Sequence, residues 1–524
     1  MKFTACPMDC FDTCKVEYID GKCKPSKSGI TNGKLCKLFA YLQAEKPMVD
    51  DNLEQTLKVF VDKLKEPNQK VLYYKGSGNL GVMQSITGKF FENIKATFAV
   101  GSLCDEAGAS GLEIGRGFNV NPTIEELEKS EVILVWGRNL TQTSKHMYNL
   151  IKDKQFITID PVRTKIAEKS EVFLQIPPKG DFLLAKLLSD ALDGKDLNLD
   201  SLIKLGIEKE DFDKVLELIS TKKVSVMLGV GPQKYKEGAE IFHEIDKFCE
   251  KLGLLDGKNT GVWYLGNSGY GFDSKIKTNP TNKCTYPNVK FDDYDIVFIQ
   301  GANPVVSAPN ASELKKQLAN TFVVYMGICD NDTSKYADIK IPAKTFLQKK
   351  DVRVAYGHDE VHFCEVCEEN PNAISEYELT SYLFDAFGFE GLLSEDEYLS
   401  AFKEKRKDKP SFMFEKKDFD VDMLELDKNE FYLISSKMPN TLNSQFKNDD
   451  FAYVNPSLGY EDGELIKLNT AVSSVEIKVK NDEKVYRNAV LLYAGNKYIN
   501  EITPNIVSNY GDNACLQDIK LTIS

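Results

Sequence analysis

Cys6-Pro7-Met8-Asp9-Cys10-Phe11-Asp12-Thr13-Cys14 sets three cysteines on one short stretch, and Cys36 follows as a fourth. The spacing is C-x3-C-x3-C-x21-C. Three thiolates on one tight loop plus one from further along is how a 4Fe-4S cluster is held, and soft sulfur ligands suit iron–sulfur chemistry. A zinc site is the alternative, but zinc ribbons use cysteine pairs spaced about two to four apart. Cys23 lies between Cys14 and Cys36. Its setting, Gly21-Lys22-Cys23-Lys24-Pro25 after the apolar Val16-Glu17-Tyr18-Ile19, reads as a hairpin position.

Around this stretch lies an ordinary globular composition, 42% hydrophobic and 28% charged. The 524 residues correspond to about three or four domains. A net charge of −13, from 79 acidic and 66 basic residues, argues against nucleic acid and against anionic lipid as partners. No run of 18 or more apolar residues predicts a transmembrane helix. The opening Met1-Lys2-Phe3-Thr4-Ala5-Cys6 has no apolar signal stretch and no twin arginine, so a cytoplasmic protein is expected. Twelve cysteines in a reducing compartment are expected to be ligands, reactive thiols or small buried hydrophobes rather than disulfides.

Further along, short apolar runs end in glycine or a polar turn and precede helical stretches. Val71 to Gly81, Glu131 to Asn139, Val224 to Gln233 and Asp295 to Pro304 have this form, and Phe156 to Asp160 and Thr321 to Asp330 belong with them. Such runs predict strands of parallel sheets buried on both faces, alternating with helices. Ligands of such sheets sit outside the strand carboxyl ends, where the glycines, Asp160 and Asn303 fall. The charged Lys403 to Asp420 reads as a solvated linker or surface segment. Beyond Leu424 the segments Glu430–Ser435, Glu464–Asn469, Val475–Val479 and Val490–Tyr493 predict a C-terminal β-barrel or sandwich.

Several blocks in chain order resemble the dimethyl sulfoxide reductase family of molybdopterin oxidoreductases. They are the Cys6–Cys14 opening, Gly101-Ser102-Leu103-Cys104-Asp105-Glu106-Ala107-Gly108, Trp136-Gly137-Arg138-Asn139, and Ile159-Asp160-Pro161-Val162-Arg163-Thr164. Gly301-Ala302-Asn303-Pro304, Tyr336-Ala337-Asp338-Ile339, and Asn500 and Thr503 followed by Gly511-Asp512-Asn513-Ala514-Cys515 continue the series. The resemblance implies a multi-domain α/β protein. A 4Fe-4S β-domain over 1–45 would precede interleaved, doubly wound parallel sheets that bind pterin over 46–420. A β-barrel cap that binds the dinucleotide would close the chain over 425–524. It implies a bis-molybdopterin guanine dinucleotide cofactor carrying molybdenum or tungsten. The cluster, on Cys6, Cys10, Cys14 and Cys36, would relay electrons to a ferredoxin-like protein or an electron-transfer subunit. The implied reaction moves an oxygen atom or hydride equivalent with two electrons on a small-molecule substrate. Two alternatives stay open: a non-redox hydratase or transhydroxylase, and a metal-free electron-transfer scaffold. Cytoplasmic formate dehydrogenases of the family follow the metal ligand with histidine. Here Asp105 follows Cys104, so formate is disfavoured. The family also tends to place a lysine two residues after the fourth cluster cysteine, whereas here Lys37 comes immediately after Cys36.

Individual positions take roles accordingly. Cys104 is the candidate metal ligand and catalytic residue, with a buried turn cysteine as the plain alternative. Gly76-Ser77-Gly78-Asn79-Leu80-Gly81 matches G-x-G-x-x-G, but the next strand ends in Gly101-Ser102 without the acidic residue a nicotinamide site needs. Gly78 is therefore a candidate for a turn near pterin or its phosphates, with a purely structural turn as the alternative. Asp160 with Arg163, and Asp181, are candidates for guanine or ribose, since carboxylates accept guanine's paired N–H donors. Helix capping is their alternative. Asn139, Asn303, Asn500 and Thr503 complete the candidate cofactor contacts. His358 with His362, and Cys364 with Cys367, are weaker metal or redox pairs.

Overall fold

The computed structural model describes the whole chain except residues 78, 79, 257, 258, 405, 408–410, 440, 447 and 448. Two compact units emerge, each assembled from three separate stretches of chain. One comprises 1–100, 268–355 and 360–409, the other 101–267, 356–359 and 410–524. The α/β region is thus interleaved.

The first unit opens with an antiparallel sheet of Lys2–Ala5, Lys15–Ile19 and Lys22–Pro25. The last two strands meet at Asp20 and Gly21, both at positive φ (52° and 73°). That is the conformation a tight hairpin turn demands. Cys23 sits on this hairpin, paired with Tyr18. Next comes a parallel sheet of six strands, in spatial order Asn282–Thr285, Thr97–Val100, Val71–Lys75, Ile296–Gln300, Phe322–Gly327 and Ile339–Pro342. Its inner strands are continuous apolar runs because helices cover them; Phe60, Phe90, Phe91 and Leu383 pack with Tyr73 and Phe298 in one core. Asp351–Val354 and Val361–Cys364 form an antiparallel pair, and Val361–Cys364 packs beside Lys2–Ala5.

The second unit holds a parallel sheet in the order Gly261–Trp263, Val224–Leu228, Val132–Trp136, Gln155–Ile159 and Val172–Leu174. Both parallel sheets are wound alike. The strand that comes first in the chain lies inside, the next strands add on one side, and the chain then returns to its other flank. The short edge strands Asn282–Thr285 and Gly261–Trp263 escaped the sequence reading because they lack a long apolar run.

The C-terminal strands close into a barrel, in ring order Glu430–Ser436, Ala489–Tyr493, Phe451–Val454, Ser474–Asn481, Leu465–Asn469 and Lys520–Ile523. Ser474–Asn481 alternates strictly, with Val475, Ile477 and Val479 turned into the barrel core. Pairing of Glu430–Ser436 with Lys520–Ile523 makes it a barrel rather than a sandwich.

The described residues of Lys403–Asp420 run mostly exposed along the surface, as expected, and aromatic residues among them pin the segment down. Phe412 lies edge-on to Phe118 at 5.0 Å, and Phe414 stacks on His243 at 5.7 Å. The Lys417 amide donates to His243 Nε2 at 3.1 Å. The phenylalanines among the charges bury against the helices Glu106–Arg116 and Gly238–Lys251.

Candidate cofactor sites

In the first unit the cysteine loop closes on itself. The Cys6 amide donates to the Cys14 carbonyl at 2.8 Å, and the Thr13 amide to the Cys10 carbonyl at 3.3 Å. Thr13 takes φ +40° to make the turn. The amides of Met8 and Asp12 hydrogen-bond the sulfurs of Cys6 and Cys10. Cys36 joins them from the N-cap of helix Lys37–Ala44. Cys36 acts electrostatically on Cys6, Cys10 and Cys14, and Cys6 acts in turn on Cys10 and Cys14. Burial pushes Cys6 up to about 12, against the pull of the Met8 amide, and raises Cys10 and Cys14 as well. Buried, mutually repelling thiols ionise only beside a strong cation, and an iron cluster supplies one. The donor set therefore fits the cluster. Among the described residues, no group of three or more His, Cys, Asp or Glu is arranged to hold a lone metal ion. Cys23 instead feels Cys367 and Glu368. The Lys37 ammonium lies over the Tyr41 ring.

Each parallel sheet has one place where the winding reverses, and there the loops from two adjacent strands diverge to leave a crevice. In the first unit this lies between Val71–Lys75 and Ile296–Gln300, followed by Gly76 and by Gly301-Ala302-Asn303. A Cβ on Gly76 would strike the Gly301 carbonyl and Ala302. Asn303 caps helix Pro304–Ser307, and its Oδ1 accepts from the Thr333 amide (3.1 Å) and hydroxyl (2.9 Å). Gly78 lies outside the described residues.

In the second unit the reversal lies between Val132–Trp136 and Val224–Leu228. Gly137 takes φ +61°, and a Cβ on Gly229 would strike its carbonyl. Asn139 follows at the start of helix Leu140–Thr143, its Oδ1 accepting from Thr141 at 2.7 Å. Asp160 ends the adjacent strand and accepts from the Val162 amide at 2.8 Å. Asp181 begins helix Asp181–Leu192 and accepts from the Trp136 indole at 2.7 Å. Burial pushes Asp160 up to about 7 and Asp181 up to about 6; Asp181 adds to the rise at Asp160. The two acids are thus neighbours. Arg163 sits close by in the chain but is exposed, its guanidinium over the Phe173 ring and its amide bonded to the Lys484 carbonyl.

Cys104 also belongs to the second unit, two residues before helix Glu106–Arg116. The Ser102 hydroxyl accepts from the Cys104 amide at 2.8 Å. Ser102 is stitched in turn to the C-terminal segment, donating from its amide to Asp512 and accepting from the Ala514 amide. Gly101 and Gly511, both at positive φ (79° and 85°), allow this approach. Gln233 donates to the Cys104 carbonyl and accepts from the Gly108 amide. Next to it, Lys234 was missed from sequence. Burial lowers its ammonium to about 8, against the opposing pull of Cys104 and Asp160. It donates to the Ser435 carbonyl at 2.6 Å. The run Val224 to Gln233 ends one residue short of it, and no local pattern marks a lone lysine as buried.

Asn500 and Thr503 are buried on the C-terminal side of the barrel sequence, and Thr503 donates to the Ile499 carbonyl at 2.7 Å. His358 and His362 fall in different units, so the structure does not show them as one group. Cys364 is taken by Arg353, at 2.8 Å from Nη1.

A doubly wound sheet with a glycine-lined reversal point in each unit, and a four-thiol loop in the first, define an α/β protein of the cofactor-binding type. The molybdopterin oxidoreductase family model matches residues 55–386, more than half the chain, and the chain belongs to that family of molybdopterin-dependent enzymes, within the dimethyl sulfoxide reductase group. A probable oxidoreductase YyaE of Bacillus subtilis is 24% identical over 74% of this chain and 69% of its own length. The alpha subunit of an F420-dependent formate dehydrogenase from Methanocaldococcus jannaschii is 24% identical over 61% of this chain, which spans 59% of that subunit. Acetylene hydratase from Pelobacter acetylenicus shares the fold over the full length of both chains, with a TM-score of 0.73 at 14% identity. The family implies a molybdenum or tungsten pterin cofactor. Among the described residues no helix is long and apolar enough to cross a membrane.

Proposed function

We propose that this protein is a cytoplasmic molybdenum or tungsten oxidoreductase that moves an oxygen atom or hydride equivalent on a small-molecule substrate. Cys6, Cys10, Cys14 and Cys36 would hold a 4Fe-4S cluster, which would supply a one-electron relay to a ferredoxin-like protein or electron-transfer subunit. The observation that carries this reading is the four-thiol group, whose mutual repulsion calls for a multivalent cation.

The pterin-bound metal, when present, supplies the two-electron chemistry. The chain's own residues hold and orient it. Cys104 is the protein ligand, its backbone fixed by Ser102 and Gln233. The two reversal points suit two guanine dinucleotides, one per sheet. Asp160 and Asp181 accept guanine N–H donors in the second unit, aided by Asn139 and Arg163. Asn303 and Gly78 serve the first, and Asn500 and Thr503 serve the cap. We retain the division into a cluster domain (1–45), pterin-binding domains (46–420) and a barrel cap (425–524). Asp105 after Cys104 continues to disfavour formate.

Anaerobically purified protein is expected to contain about four iron and four labile sulfide per chain, with molybdenum or tungsten besides. Cys10→Ala should lose the cluster's broad visible absorbance; unchanged iron would exclude Cys10 as a ligand. Cys104→Ala should keep the iron and lose one sulfur neighbour in X-ray absorption at the molybdenum or tungsten edge. An unchanged edge spectrum with full activity would sink that assignment. A screen of viologen-linked turnover over N-oxides, S-oxides, oxyanions and aldehydes identifies the substrate class. Hydratase activity without dye reduction would replace the redox reading.

A further inference from the structure

Arg353 is among the largest fully buried side chains of the protein, and no cofactor assignment uses it. It lies on Asp351–Val354, opposite His362 on the paired strand. Among its contacts, Nε donates to the Leu80 carbonyl, and Nη1 lies 2.8 Å from Cys364 Sγ. Both lead to the cysteine loop. The Leu80 amide donates to the Pro7 carbonyl at 2.8 Å, so one residue connects the guanidinium to the loop. Cys364 is held by Thr4 and the Ala5 amide, immediately before Cys6.

A buried guanidinium is costly unless compensated, and Asp351 is a carboxylate that lies near it. Asp351 Oδ2 stands 4.0 Å from Nη2, beyond hydrogen-bond reach. Among the described residues that oxygen has no hydrogen-bond partner, while Oδ1 accepts from the amides of Met83 and Val352. The arginine cannot shed its proton to escape, so a fixed positive charge acts on one side of the cluster ligands.

We propose that Arg353 is a positioning residue for the cluster's charge, a buried cation joined to the Cys6–Cys14 loop through Leu80 and Cys364 that raises the reduction potential of the 4Fe-4S centre. The inference rests on the cluster reading above. One-electron reduction adds one negative charge to the cluster and its thiolates, the electron coming from the external partner or the metal site. A fixed cation stabilises that added charge more than it stabilises the oxidised form. Net charge and hydrogen bonding around the sulfurs are the levers that set such potentials.

The test is a potentiometric titration of the full-length, cluster-loaded protein, read by electron paramagnetic resonance of the reduced cluster. Arg353→Met should move the midpoint negative, and Arg353→Lys, which keeps the charge, should move it less. Asp351→Asn removes the opposing carboxylate while keeping an oxygen for the Met83 and Val352 amides, so its midpoint should move positive. Should Arg353→Met fail to fold, the sign of the Asp351→Asn shift decides. Cluster-loaded variants that all titrate at the wild-type midpoint would overturn the inference and leave the cluster standing. Wild-type protein without iron and sulfide, even after anaerobic reconstitution, would overturn the cluster reading and this inference with it.

Discussion

Asp160 shows how a residue that is plain in sequence acquires its chemistry from depth. Its carboxyl is raised from 3.8 to about 7, chiefly by burial, with Asp181 adding repulsion. The folded chain therefore binds a proton the unfolded chain lacks across roughly pH 4 to 7, and its stability falls as pH rises through that window. Above it, ionised Asp160 is a standing cost. Asp160→Asn keeps an acceptor for the Val162 amide and removes the charge. The cofactor-free variant should be more stable than wild type at pH 8 by about 1–2 kcal/mol, after discounting partial exposure. The difference should vanish below about pH 4, as read by denaturant unfolding at both pH values. Equal stability at pH 8 would mean that the carboxylate is adequately solvated. If Asp160 binds guanine, the stabilised variant should also retain less dinucleotide, because the amide presents one acceptor where two are needed.

Among elements, the reversal point of the second sheet puts the tightest demand on sequence. Gly137 and Gly229 end adjacent strands, and their backbones touch where any Cβ on Gly229 would collide with the Gly137 carbonyl. Gly231, two residues on, has its nearest neighbour at 3.5 Å, an ordinary contact. Gly229→Ala should therefore cost about 1–3 kcal/mol by forcing backbone apart, and should lower pterin content. Gly231→Ala should leave the melting temperature nearly unchanged. Equal effects of the two would show that the loop yields and the glycine contact is not limiting. The contrast has no counterpart in the local sequence, where both glycines sit in Gly229-Val230-Gly231-Pro232.

At the scale of the whole molecule, the four thiols draw residues 6–36 together with a loop around Leu80 and the hairpin of Arg353. A cluster that binds this folded arrangement and not the open chain stabilises the fold by mass action, about 2.7 kcal/mol at a hundredfold excess over its Kd. Cluster-loaded protein should melt above chelator-stripped protein, with the first unit unfolding earlier in the stripped sample by hydrogen exchange. Coincident melting curves would mean that the thiols are preorganised without the cluster and draw no stability from it.

Strand class, cysteine spacing and barrel alternation were legible because each is a short-range periodicity. The runs at Val71, Val132, Val224 and Ile296 are apolar over most of their length, as sheets covered on both faces require. Asp160, Asp181 and Asn303 stood out for their place after strands or at helix starts. Lys234 and Arg353 carried no such mark, since their significance comes from groups remote in the chain: Cys104 and Asp160 for the lysine, Leu80, Cys364 and Cys6 for the arginine. The surface segment Lys403–Asp420 was legible from its charges, but the partners of its phenylalanines, Phe118 and His243, lie far back in the chain and were not. By itself the sequence determined the element types, the cysteine spacing and the family. Only tertiary structure decided strand order, hence where each winding reverses, and which buried charges face the cysteines. Strand pairing and burial depend on segments far apart in the chain, and no local pattern encodes their distance.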